Sequence, residues 1–183
     1  MRWTRLCGLI VVFWPVSLAW ADDPPVMFPK GTVTFESYVT GAAGLDAHTT
    51  LGSTAVGMGY YVWDNVSLGV EASGYRVWEP HDDGWAGSLS GVLRQHFFTF
   101  DRATILADVS FGPIEASQRI PQGGTYFNFI TRTGLGATYQ LNDKIFLLGG
   151  VRYFHVSNAR LEGSQRNPSV NGLEGYVGLM WKL

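Results

Sequence analysis

Residues 127–141 limit what this chain can become. Phe127, Phe129, Leu135, Ala137, Tyr139 and Leu141 share one parity, while Asn128, Arg132, Gly134, Gly136, Thr138 and Gln140 share the other. A period of two with unlike faces belongs to a β-strand. The same alternation sets Val66, Leu68, Val70 and Ala72 against Ser67, Gly69, Glu71 and Ser73. It recurs as Ile105, Ala107, Val109 and Phe111 against Thr104, Asp108 and Ser110. Read along the chain it predicts eight strands, at 31–40, 50–63, 66–78, 85–99, 103–116, 125–141, 145–157 and 172–183. Segments of this length cross a bilayer when tilted.

The connections alternate in length. Asp64-Asn65, Asp101-Arg102 and Asn142-Asp143-Lys144 are tight polar turns, whereas 41–49, 79–84, 117–124 and 158–171 are longer and rich in Gly, Asp, Pro or Ser. Short turns at one end and long loops at the other describe an outer-membrane barrel with its long loops outside the cell. The composition agrees: 14% aromatic, 23 glycines and only 15% charged residues are unusual for a soluble domain. No apolar run beyond residue 21 approaches the 18 or so residues of a spanning helix. A closed barrel is the other structure that satisfies every backbone group in lipid. The expected fold is all-β, an eight-stranded antiparallel transmembrane β-barrel in the cell outer membrane. A formal net charge of −2 gives no reason to expect nucleic acid as a partner.

Arg2 and Arg5, the apolar run Leu6 to Leu18 and the closing Ala19-Trp20-Ala21 predict a signal peptide over residues 1–21. The barrel domain then covers 22–183. Cys7 falls upstream of that cut, so the remaining chain carries no thiol chemistry.

Charges inside the strands fall on the polar face: Glu36, Glu71, Asp108, Arg94, Arg132 and Arg152. An eight-stranded barrel has an interior that side chains fill, with no room for a lipid substrate. Buried ion pairs are therefore expected there. Tyr60, Tyr61, Trp63, Trp78, Trp85, Phe97, Phe98, Phe100, Tyr126, Tyr139 and Trp181 crowd strand ends and predict interfacial girdles.

The seventh strand holds the candidate site. Arg152 sets its even positions inward, so Tyr153, His155 and Ser157 point outward at the extracellular end. Residues i and i+2 share a face about 7 Å apart. An imidazole and a hydroxyl at that spacing are the base and nucleophile of acyl transfer. The same two residues can also simply mark the edge of the lipid band.

His155-Val156-Ser157-Asn158-Ala159, with Asn167-Pro168 and Glu174 after it, resembles the PagL family of lipid A 3-O-deacylases. Size, signal peptide and strand number fit as well. The resemblance implies a serine esterase that cuts the 3-position acyl ester of lipid A in the outer leaflet. Ser157 would be the nucleophile, His155 the base and then acid, Glu174 the orienting carboxylate and Asn158 an oxyanion donor. The family often has Gly after S-N-A, where this chain has Arg160. Val177, Leu179 and Trp181 look outward, which turns Glu174 inward unless a bulge at Gly172 or Gly175 re-aims it. Glu162 is the alternative acid.

Gly149 and Gly150 would leave room for an acyl chain. Arg160 and Arg166 would either hold lipid A phosphates or be solvated. The partners implied are lipid A or lipopolysaccharide as substrate and the membrane, with a homodimer left open. No cofactor or metal is called for. A non-enzymatic structural barrel and a channel for small apolar solutes are the competing readings.

Overall fold

The computed structural model describes residues 26–45, 48–80 and 83–183. The expected signal peptide and Cys7 lie outside the described residues. Eight strands follow in order: β1 Val33–Gly44, β2 Thr50–Trp63, β3 Val66–Trp78, β4 Asp83–Phe100, β5 Ala103–Ile120, β6 Thr125–Gln140, β7 Ile145–Ser157 and β8 Val170–Lys182. Each pairs antiparallel with its neighbours, and β1 pairs with β8 to close the barrel. The expected fold is the observed one. The helical piece among the described residues is a 3-10 turn, Ser164–Arg166, in the loop between β7 and β8.

The expected turns are where the chain reverses. Asn65 takes φ 60° in the two-residue turn between β2 and β3, a left-handed backbone that Asn tolerates better than most residues. Its side-chain oxygen accepts from the Phe28 N–H at 3.2 Å. Phe28 is thereby set into the mouth of the barrel at its short-turn end, against Tyr61, His96 and Phe146.

The interior is layered. At the short-turn end Phe28, Tyr61, Leu106, Phe146, Leu148 and Met180 form an apolar plug. Tyr61 belongs to this plug, 1% exposed, and not to the girdle expected of it. Tyr61 follows the inward parity of Ser53, Ala55 and Gly57, and the register shift between Tyr61 and Trp63 turns Trp63 out. At the long-loop end Leu51, Tyr75, Ile114, Ile130, Phe154 and Val170 form a second cluster.

Between the two lies the ion-pair layer. Arg94 pairs with Glu36 at 2.7 Å and with Asp108 at 3.5 Å. Arg152 meets Asp108 at 2.8 Å, and Arg132 meets Glu71 at 3.2 Å. Tyr38 donates to Glu71, and Arg132 donates to the Tyr75 hydroxyl. All six charged residues expected in the lumen are there, and Glu174 joins them as a seventh. Charge in so dry a layer is tolerated because each group has an opposite partner.

Outside, the wall is apolar. Val70, Trp85, Phe111, Leu135, Val151 and Leu173 are all more than half exposed, as lipid-facing residues must be.

Candidate active site

β7 holds its inward face with Phe146, Leu148, Arg152, Phe154 and Val156, all buried. That fixes Tyr153, His155 and Ser157 on the outer wall. The strand ends at Ser157, beside the long loops. Trp78, Trp85 and Tyr126 are exposed at the same end of the barrel and mark the outer interface there.

The Ser157 Oγ lies 2.9 Å from the His155 Nε2. The His155 Nδ1 lies 2.8 Å from the Oδ1 of Asn171, its direct partner across the β7–β8 pairing. The Tyr153 hydroxyl donates to the same Oδ1 at 2.6 Å. Tyr153, Asn171, His155 and Ser157 thus form one polar track up an otherwise apolar wall. On the β6 side Ser157 faces Phe129, which stacks on Phe111 and meets Phe127 edge-on. A hydroxyl next to such a surface is placed for a substrate that brings hydrocarbon.

Glu174 does not reach this track. It lies 1% exposed inside the barrel, 3.3 Å from Arg132 and 3.5 Å from Arg152. The β7–β8 register runs without a shift from Ile145↔Trp181 to Val156↔Val170, so no bulge at Gly172 or Gly175 re-aims it. Gly172 packs its backbone against the Phe154 ring; a Cβ there would stand 2.3 Å from it. Glu162, the alternative acid, is exposed and meets Arg166 at 3.4 Å. The acid expected from sequence is thus corrected: the group on His155 is an amide, not a carboxylate. Asn171 escapes a reading that starts the last strand at 172. Its odd parity, shared with Leu173, Val177 and Leu179, was the available signal.

Asn158 is buried and spends its side chain on the loop. Its Nδ2 donates to the Thr125 Oγ1 and the Arg166 carbonyl, and its Oδ1 accepts from the Arg160 N–H. Its own N–H donates to the Asn167 Oδ1 at 2.9 Å. The two asparagines pin the chain immediately after Ser157. Ala159 and Arg160 follow with φ 52° and 66°, a left-handed turn that glycine would adopt without strain. This explains why a glycine suits the position that Arg160 fills.

Of the two glycines below the site, Gly149 lies on the outer wall. Gly150 faces the lumen, where a Cβ would stand 2.8 Å from the Tyr176 hydroxyl and 2.4 Å from the Leu135 carbonyl oxygen.

The family model for lipid A 3-O-deacylase (PagL) matches residues 48–180, a stretch that contains the whole track. The chain belongs to the PagL family. It lies in the outer membrane, as that family and the barrel both require. Among solved structures, the outer membrane enzyme PagL aligns over 81% of this chain and 98% of its own, with a TM-score of 0.59 and 18% identity. Neisserial surface protein A aligns over 83% and 96%, with a TM-score of 0.63 and 17% identity. OprG of Pseudomonas aeruginosa aligns over 87% and 99%, with a TM-score of 0.52 and 13% identity. At these identities the solved structures speak for the fold alone. Comparison with curated protein sequences gives no match. None of the comparisons supports the homodimer left open from sequence. In this member of the PagL family the His155 Nδ1 meets the amide of Asn171, while Glu174 lies inside the barrel.

Proposed function

We propose that the protein is a serine esterase that hydrolyses the 3-position acyl ester of lipid A in the outer leaflet of the outer membrane. The observation that carries this reading is the 2.9 Å contact between Ser157 Oγ and His155 Nε2 on the lipid-facing wall, at the extracellular end of β7. A structural barrel has no use for such a pair in that place. Membership of the lipid A deacylase family supplies the substrate class.

The chemistry follows from the geometry. A serine hydroxyl is a weak nucleophile until a base takes its proton. His155 accepts that proton at Nε2 as Ser157 Oγ adds to the ester carbonyl. The resulting imidazolium returns it to the departing sugar oxygen, leaving the fatty acyl group on Ser157. Water, deprotonated by the same imidazole, then releases the fatty acid and restores the hydroxyl. Positioned proton transfer of this kind contributes about 10²–10⁴-fold to the rate.

The substrate needs no pocket. Lipid A brings its ester to the depth at which Ser157 lies, and its acyl chains lie along Phe129, Val151 and Leu173. Asn158 acts by holding the turn after the nucleophile, since both hydrogens of its amide are committed to Thr125 and Arg166.

Mass spectrometry of lipid A tests the assignment. Cells expressing the protein should carry lipid A lighter by one 3-hydroxy fatty acid, and cells expressing Ser157→Ala should not. Unchanged lipid A in the expressing cells, with the barrel inserted, would favour a structural role.

A further inference from the structure

We propose that Asn171 is the positioning residue for His155, with Tyr153 holding its amide, so that this enzyme runs a Ser-His-Asn relay without a carboxylate. The proposal rests on the ester hydrolysis proposed above and names the group that prepares its base.

Asn171 Oδ1 stands 2.8 Å from His155 Nδ1 and 2.6 Å from the Tyr153 hydroxyl. An amide oxygen carries lone pairs and no hydrogen, so both neighbours donate to it. The His155 proton therefore sits on Nδ1, and the lone pair on Nε2 faces Ser157. This is the tautomer a general base needs, and the partner of the other ring nitrogen sets it. Turned the other way, the amide would offer N–H groups to Nδ1 and drive the imidazole proton to Nε2, against the serine. Tyr153 gives Oδ1 a second donor and so favours the working orientation.

Position argues for an amide. Asn171 is half-buried on a wall that faces hydrocarbon, where an ionised carboxylate is costly. The carboxylate in this part of β8, Glu174, is turned into the lumen and paired there. Around the imidazole stand Tyr153 and Ser157 on β7, Asn171 on β8 and Thr131 on β6. Tyr153 is the one titratable side chain among those four. Arg160, Glu162 and Arg166 are exposed in the loop beyond Ser157.

A neutral orienter fixes geometry but lends the imidazolium no negative charge. A carboxylate at the same place would hold the proton on His155 more tightly. The consequence is directional. Asn171→Asp should keep activity and move the acid limb of the pH–rate profile to higher pH. Asn171→Leu should lower kcat by about 100-fold or more, with little change in KM, because the base loses its orientation. Glu174→Gln should leave the limb where it is.

The experiment uses the purified barrel in detergent with lipid A, measuring kcat, KM and the pH profile for these variants. Nitrogen-15 NMR of histidine-labelled protein accompanies it, with His155→Gln identifying the resonances. The expected spectrum has His155 protonated on Nδ1 in the parent protein and redistributed between the nitrogens in Asn171→Leu. An Nε2-protonated His155 in the parent protein overturns the proposal, as does full kcat in Asn171→Leu or an unmoved acid limb in Asn171→Asp. If the parent protein releases no fatty acid, the hydrolysis reading fails. The tautomer measurement then still decides what Asn171 does to His155.

Discussion

Arg152 and Glu174 are direct partners across the β7–β8 pairing, and their side chains meet inside the barrel at 3.5 Å. Three residues nearer the outer rim, His155 and Asn171 are partners on the same pair of strands and meet outside it. Odd and even positions of one strand pair thus serve two separate systems, a charged interior and a hydrogen-bonded polar track outside.

Glu174→Gln should therefore weaken the barrel and not the chemistry. Removing one member of a buried ion-pair network costs about 3–5 kcal/mol. The temperature at which the protein loses its heat-modifiable gel mobility should fall, while turnover per folded molecule stays within about twofold of the parent. A loss of turnover in fully folded Glu174→Gln would return the carboxylate to the site.

Arg132→Met should cost as much or more, since Arg132 contacts Glu71, Glu174 and the Tyr75 hydroxyl. Loss of its charge leaves two carboxylates short of a partner in a dry layer. An unchanged unfolding temperature would mean that the layer is solvated.

Arg160→Gly should stabilise the loop after the nucleophile. A residue with a Cβ held at φ 66° costs about 1–2 kcal/mol in that conformation, offset in part by the greater freedom of glycine in the unfolded chain. The expected result is an unfolding temperature raised by about 2 °C, given about 2–4 °C per kcal/mol for a chain of this size. A fall would show that the guanidinium holds the loop more strongly than its backbone strains it.

Much of the barrel was legible because its two faces meet different media. Where lipid lies on one side and the packed lumen on the other, as along β3 and β6, alternation locates a strand almost to the residue. The pattern fades where a strand leaves the hydrocarbon. β5 continues to Ile120 through Ser117, Gln118 and Arg119, and β1 continues to Gly44 through Gly41 and two alanines, with nothing alternating to mark either. Tyr61 shares the inward parity of Ser53, Ala55 and Gly57; it was misplaced because it was grouped by residue type with the aromatics Tyr60 and Trp63 at the strand end. The pairing of His155 with Ser157 was legible from parity alone. The contact of His155 with Asn171 was not, because a neutral Asn carries no signature of its own and a carboxylate three residues on drew the expectation.

The central claim is that Ser157, activated by His155, opens an ester of lipid A at the outer rim. The most direct measurement is fatty-acid release from lipid A by the purified protein in detergent, comparing the parent with Ser157→Ala, His155→Ala and the double variant, all shown to be folded. The parent should release a 3-hydroxy fatty acid. Each single variant should lose that release, with little further loss in the double, since the pair acts as a unit. Parent-level release by folded Ser157→Ala would contradict the claim.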